Sequence, residues 1–259
     1  MKTKIIKKSF SCLREGLTIR GKIFITKQKE LKNEPLPAVI LSHGFLANQK
    51  MCFNYAKILA ELGYICFTFD FCGGGIKCSS DGNTYDMSVL TEKKDLYSVI
   101  DFVSNHKAVQ KEHISLLGCS QGGFVSGIVA KELKSKIEKL LMFYPALCIP
   151  DDARNGKMIM IRFDPHNVPD IILKFPMKVG KAFALDTMNM DFMTELKGYN
   201  GKVFLIHGTA DKIVNIEYSR KAKTLYTDIT YNEIKDGEHG FRKNHAKEAD
   251  ELLRLFMQQ

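Results

Sequence analysis

The residue types able to do chemistry concentrate around Ser120. It stands at the centre of Gly118-Cys119-Ser120-Gln121-Gly122. An apolar run, Ile114 to Leu117, precedes it and reads as a buried strand; a helix-compatible run, Phe124 to Leu133, follows. A serine hydroxyl is a weak nucleophile at neutral pH. It becomes useful when a tight turn pushes it toward a base and toward backbone N–H groups. A strand-turn-helix does this only if the flanking positions are small, because strand and helix nearly touch there. Gly118 and Gly122 meet that need. The competing reading is a glycine-rich turn with an idle serine.

A serine nucleophile needs a base that takes its proton and returns it to the leaving group, and imidazole suits this because it titrates near neutrality. The imidazole in turn needs a carboxylate to fix its tautomer. His239 is the candidate base, in the Gly-flanked loop Asp236-Gly237-Glu238-His239-Gly240. His207 stands directly before Gly208 and is expected to serve that turn. His43, in an early strand-end loop, is expected to order the oxyanion region and to border the substrate. The candidate acid is Asp211. Asp186 and Asp191 are poorer candidates, and Asp70, Asp228 and Asp236 are misplaced in order or position. Two backbone N–H groups should hold the negative oxygen of a tetrahedral intermediate. Gln121, which follows the serine, supplies one, and Phe45 is the candidate for the other.

The elements that must position these groups follow from the apolar pattern. Residues 4–10 and 17–27 read as a β-hairpin, and residues 27–37 as a polar loop. Ala38 to Leu41 is a strand buried on both faces, followed by a helix over residues 51–62 that Gly63 ends. A strand at 64–69 leads into Asp70 to Gly75, a loop whose glycines let backbone come close to something. An amphipathic helix spans 91–105. Then come the Ser120 strand and helix, and a strand at 140–143. This alternation predicts an α/β fold with a doubly wound, mostly parallel sheet, whose ligands bind at the carboxyl ends of its strands. The rhythm breaks from Ala146 to about Gly198, a Met-, Phe- and Pro-rich stretch expected to be a lid inserted over those ends. It resumes with a strand at 202–206, a helix at 217–226, a strand at 229–234 and a helix at 244–257. The expected organisation is one domain over residues 1–259 with the lid, residues 146–198, inside it.

Composition narrows the class. The chain of 259 residues is 45% hydrophobic and 26% charged, which is ordinary for a soluble globule. The basic stretch Met1 to Phe10 is not followed by an apolar region, so no signal peptide is expected, and no apolar run approaches a membrane span. Seven cysteines without an export signal suggest free thiols in a reducing cytoplasm. Cys66, Cys72 and Cys78 lack metal-like spacing, and no metal is expected. The net charge of +9 is read as a lysine-rich surface, not a nucleic-acid stripe. The lysines lie scattered beside acids, as in Glu92-Lys93-Lys94-Asp95 and Lys131-Glu132. The expected partner is a small-molecule ester, with no nucleic acid or membrane, and a homodimer is left open.

Taken in order, His43-Gly44-Phe45, Gly118 to Gly123, His207-Gly208-Thr209-Ala210-Asp211 and Gly237-Glu238-His239 resemble a serine α/β-hydrolase over nearly the whole chain. More narrowly, Asp164-Pro165-His166-Asn167-Val168-Pro169-Asp170 and Thr209 to Val214 resemble the bacterial cinnamoyl (feruloyl) esterases. The resemblance implies a cofactor-free soluble esterase acting on hydroxycinnamate or simpler aryl and short acyl esters. It places Asp152 where an acidic lid residue meets a phenolic hydroxyl. The positions matching the family's lid Gln and Tyr are Ile159 and Phe183, which offer no such hydrogen bond and leave room for a less polar acyl group. Open alternatives are a short-chain acyl esterase or monoacylglycerol lipase, a peptidase or amidase, and a non-catalytic binding protein on a hydrolase fold.

Overall fold

Two left-handed residues, Glu15 (φ 49°) and Gly16 (φ 86°), close the first hairpin. Positive φ at both turn positions matches the right-handed twist of flanking strands. Strands β1 (Ile5–Arg14) and β2 (Leu17–Thr26) pair antiparallel on either side, with Arg14 opposite Leu17. The computed structural model describes residues 4–32 and 34–259. The stretch expected to be a loop opens with helix α1 (Lys27–Lys32) instead. None of its six residues is buried, so it carries no apolar period to read. Asn33, part of the same expected loop, lies outside the described residues.

From β3 (Leu36–Ser42) the chain alternates. A short 3₁₀ turn leads into α2 (Phe53–Glu61), then β4 (Ile65–Phe69), α3 (Val89–Ser104), β5 (Val109–Cys119), α4 (Gln121–Glu132) and β6 (Lys139–Phe143). An insertion follows, built of α5 (Ile149–Arg154), β7 (Lys157–Met158), β8 (Ile161–Arg162), β9 (Ile171–Leu173), β10 (Val179–Gly180), α6 (Ala182–Leu185) and α7 (Phe192–Leu196). The chain ends with β11 (Lys202–Gly208), α8 (Glu217–Ala222), β12 (Ile229–Ile234) and α9 (Lys243–Met257). The helix expected over 217–226 tightens to a 3₁₀ turn in its last part.

The main sheet runs β1-β2-β4-β3-β5-β6-β11-β12. All pairs from β4 to β12 are parallel, and only β1 and β2 join antiparallel. This is the α/β-hydrolase fold expected from the sequence. Side chains alternate across the sheet. Ala38 and Ile40 of β3 enter one core, with Leu96 and Val99 of α3 and Phe124 and Ile128 of α4. Val39 and Leu41 enter the other, with Ala56 and Leu59 of α2 and Leu253 and Phe256 of α9. From β3 the chain moves to β4 on one side, then returns to pair β5 on the other. The crevice at that switch point lies between the carboxyl ends of β3 and β5. Gly44-Phe45 and Ser120 follow those two ends.

The insertion joins the first core. Ile149, Met158, Val179, Phe183 and Leu196 are buried with the α3 and α4 residues. Ser88 at the start of α3 forms a capping box with Thr91 and also donates its hydroxyl to Asp186 of the insertion. The α3 face corrects one expectation. Glu92 and Asp95 are not surface partners of the neighbouring lysines; both are fully buried. Lys93 and Lys94 reach outward to Glu132 (3.1 Å) and Glu15 (3.0 Å) instead.

Candidate active site

The turn at Ser120 is strained. Its backbone sits at φ 53°, ψ −120°, a region that a side-chain-bearing residue adopts only when its surroundings hold it. They do so on both sides. Ser120 N–H donates to Phe143 O (2.9 Å), and Ser120 O accepts from Gly123 (2.9 Å) and Ala146 (2.9 Å). The flanking glycines have the steric role their spacing suggests. A Cβ on Gly118 would stand 2.1 Å from Gly122 O, and one on Gly122 would stand 2.3 Å from His43 O. Strand β5 and helix α4 can therefore meet only through glycine.

Three side chains converge on this turn from three strand ends. His239 Nε2 lies 2.9 Å from Ser120 Oγ, and His239 Nδ1 lies 2.6 Å from Asp211 Oδ2. The partners assign the tautomer: Nδ1–H donates to the carboxylate, which leaves Nε2 free to accept from the serine hydroxyl. The Tyr144 ring meets the His239 ring edge-on at 4.8 Å and limits its tilt. Asp211 also accepts from the amides of Ile213 (2.8 Å) and Val214 (2.9 Å) through Oδ1. Burial alone would raise its pKa, but the bonds from His207, His239 and the backbone outweigh it. They hold the carboxyl well below the usual carboxylate range.

His207 does more than serve its turn. It is fully buried, with Nδ1 2.7 Å from Ser219 Oγ and Nε2 3.0 Å from Asp211 Oδ2. The i, i+4 spacing of His207 and Asp211 at a strand end is the sequence signal for this contact. The weaker acid candidates have other work. Asp70 is enclosed by Gln49 and Ser79, Asp191 caps α7 through Thr194, and Asp186 receives Ser88.

A narrow slot opens beside Ser120. Phe45, Gln121 and Val214 border it from the main fold. Ala146, Cys148, Ile149, Asp152, Lys157, Met158, Ile159 and Phe183 border it from the insertion. Among the described residues, neither the Phe45 nor the Gln121 amide N–H donates to another group of the chain, and both residues border the slot. The Gln121 amide also belongs to the open first turn of α4. Asp152, Ile159 and Phe183 all reach the slot, and the Phe183 ring packs on Phe45 at 5.3 Å. Lys157 was missed: its Nζ pairs with Asp152 at 3.2 Å, and nothing in its sequence surroundings marked it.

His43 corrects the expectation of a substrate contact. Its ring is buried and both nitrogens are engaged. Nδ1 lies 2.9 Å from Gly44 O, and Nε2 accepts from Phe71 N–H at 3.2 Å. It ties the loop after β3 to the loop after β4. Burial lowers its pKa, which favours the neutral ring this pattern needs. The Gly73 to Gly75 loop packs closely against other parts of the protein. Added Cβ atoms there would stand 2.1 Å from Asn83 O, 2.4 Å from Phe71 Cβ and 1.8 Å from Ala47 O.

Among the described residues, His43, Asp70 and Cys78 form a group close enough to suggest a metal. The donor chemistry does not fit. His43 Nε2 is occupied by Phe71, and the Asp70 oxygens accept from Gln49 and Ser79. Burial pushes the Cys78 thiol up to about 12, away from the thiolate a metal requires. No described helix is long and apolar enough to cross a membrane.

Comparison with known proteins identifies the family. The Hydrolase_4 family model, described as serine aminopeptidase, S33, matches residues 33–195. An Escherichia coli protein, the uncharacterized 31.7 kDa protein in the traX-finO intergenic region, is 32% identical over 88 residues, 34% of this chain and 30% of that one. Mouse monoacylglycerol lipase ABHD6 is 26% identical over 111 residues, 42% of this chain and 31% of that one. These matches span about a third of each curated relative. The structure of Est1E from Butyrivibrio proteoclasticus with ferulic acid bound superposes with a TM-score of 0.88 at 23% identity, covering 96% of this chain and 98% of that one. The chain belongs to the Hydrolase_4 family of α/β-hydrolases.

Proposed function

We propose that this α/β-hydrolase is a serine carboxylic ester hydrolase working through an acyl-enzyme. The observation that carries the reading is the 2.9 Å approach of His239 Nε2 to Ser120 Oγ, with Asp211 fixed behind the ring at 2.6 Å. Ser120 attacks the ester carbonyl as His239 takes its proton. The Asp211 carboxylate stabilises the imidazolium, and the Phe45 and Gln121 amides receive the oxyanion. Each such donor is worth roughly 3–4 kcal/mol in the transition state. Collapse expels the alcohol with the proton from His239, and a water activated by the same ring releases the acid. None of these steps requires a metal or an organic cofactor.

The slot supports the acyl preference. It measures about 60 Å³, below the range that holds a drug-sized ligand, and its lining is mostly apolar. A short or flat acyl group suits it better than a long chain. The Asp152–Lys157 pair supplies an acceptor and a donor for one polar substituent, which suits a hydroxylated aryl acyl group of the feruloyl type. Ile159 and Phe183 offer only apolar contact, which keeps unsubstituted short acyl esters as the second reading. A monoacylglycerol is a third candidate, on the likeness to ABHD6. An aminopeptidase would need a free carboxylate for the substrate ammonium, but Asp152 is already paired. We read residues 146–198 as the lid, and seven cysteines outside any disulfide support a reducing compartment such as the cytoplasm. Hydrolysis of methyl ferulate, p-nitrophenyl butyrate and monobutyrin by the purified protein tests the substrate class. Turnover of monobutyrin alone overturns the aryl preference, and turnover of none overturns the esterase reading.

A further inference from the structure

Behind Gln121 lies a carboxyl group that the proposed mechanism does not use. Glu92, on the buried face of α3, is fully enclosed, and neither of its oxygens has a hydrogen-bond partner among the described residues. The Gln121 carboxamide stands beside it. Gln121 Oε1 is also buried without a partner, while Nε2 faces only the weak acceptor Met87 Sδ at 3.4 Å. The glycine loop after β4 closes over the carboxyl: a Cβ on Gly74 would stand 3.1 Å from Glu92 Oε1.

We propose that Glu92 is a positioning residue whose carboxylic acid donates to Gln121 Oε1 and so fixes the residue that follows Ser120. One proton pairs a Glu92 oxygen with Gln121 Oε1, and a neutral acid needs no counter-ion. The surroundings favour that state. Burial raises the Glu92 pKa well above the usual range, nearby Gln121 lowers it in part, and Asp95 raises it further. The charged and titratable groups facing it are Asp95 on the same helix and the Cys78 thiol. Arg14 is committed to Asp95 at 2.8 Å, and the Cys72 amide also donates to Asp95. An ionised Glu92 would therefore lie in the core without a cation of its own. Glu92 acts through Gln121: a settled side chain holds the α4 amino terminus and with it the Gln121 amide at the slot.

The proposal rests on Ser120 being the nucleophile, so its test has one arm that does not. In protein labelled with ¹³C at the glutamate carboxyl, one resonance absent from Glu92→Gln should remain that of the protonated acid at pH 7; an ionised carboxyl there overturns the proposal. The native state would hold a proton that the unfolded chain loses above about pH 4.3, so wild-type stability should decline with rising pH relative to Glu92→Gln. The second arm is the rate of Ser120 phosphonylation by a fluorophosphonate. Glu92→Leu should slow it about tenfold and lower kcat for p-nitrophenyl butyrate similarly with KM unchanged. Glu92→Gln should restore both to within about threefold of wild type. An unchanged rate in Glu92→Leu, or a failure of Glu92→Gln to rescue, overturns it. Absence of labelling in the wild-type protein would instead overturn the reading of Ser120.

Discussion

His207 and His239 bind the same oxygen, Oδ2 of Asp211, at 3.0 and 2.6 Å. One histidine faces Ser120 and the other is buried behind the acid. The carboxylate is thereby fixed from two sides, and the orientation of His239 depends on a residue that never reaches the slot.

Replacing His207 should therefore impair turnover without touching substrate. A hydrogen bond to a charged group contributes about 1.5–3 kcal/mol. His207→Gln should lower kcat by about ten- to a hundredfold while leaving KM within about twofold. Steady-state kinetics on p-nitrophenyl butyrate checks this, and an equal fall in stability and binding would point to a structural role alone.

The depressed Asp211 pKa predicts the direction of an acid effect. The unfolded chain binds this proton more tightly than the native state. The group's contribution to stability is complete above the unfolded pKa, about 3.9, and is lost as pH falls below it toward the folded value. The stability difference between wild type and Asp211→Asn should narrow between about pH 5 and pH 3. Urea unfolding across that range measures it; a difference that widens contradicts the account.

Gly118→Ala should be among the most damaging single methyl additions in the chain. Its Cβ would meet Gly122 O, a backbone atom, at 2.1 Å. We expect a loss of roughly 3 kcal/mol or more in stability, with the Ser120 turn displaced and fluorophosphonate labelling abolished. Thermal melting beside labelling reports both.

Asp152 should govern selection of the acyl hydroxyl. In Asp152→Leu the ratio of kcat/KM for methyl ferulate over methyl cinnamate should fall by about five- to a hundredfold, the worth of a buried hydroxyl left unpaired. Turnover of p-nitrophenyl butyrate should change little. An unaltered ratio removes the Asp152–Lys157 pair from substrate recognition.

Much of the fold was legible because buried strands and glycine-bounded turns leave strong local marks. Ala38 to Leu41, the Gly118–Gly122 spacing and the order Ser120, Asp211, His239 all rest on such marks. The failures share a physical cause: the deciding contact is distant in sequence. Glu92 and Asp95 read as solvated beside Lys93 and Lys94, since charge composition does not reveal which face of α3 turns inward. The apolar positions Leu96, Val99, Ile100 and Val103 continue the same face, and extending their period back one turn would have found both acids. The strand-end place of His43 suggests a substrate contact, but its ring is spent on Gly44 and Phe71. The insertion hides most, because its short ribbons carry no period long enough to read. Lys157 emerges there only through its pairing with Asp152.

The most direct measurement is intact mass and peptide mapping of the protein after exposure to a fluorophosphonate, with ester hydrolysis followed in the same sample. The account predicts a single adduct on Ser120, loss of activity in proportion to its formation, and no adduct in Ser120→Ala or His239→Ala. An adduct on another residue, or hydrolysis that persists in Ser120→Ala, would contradict it.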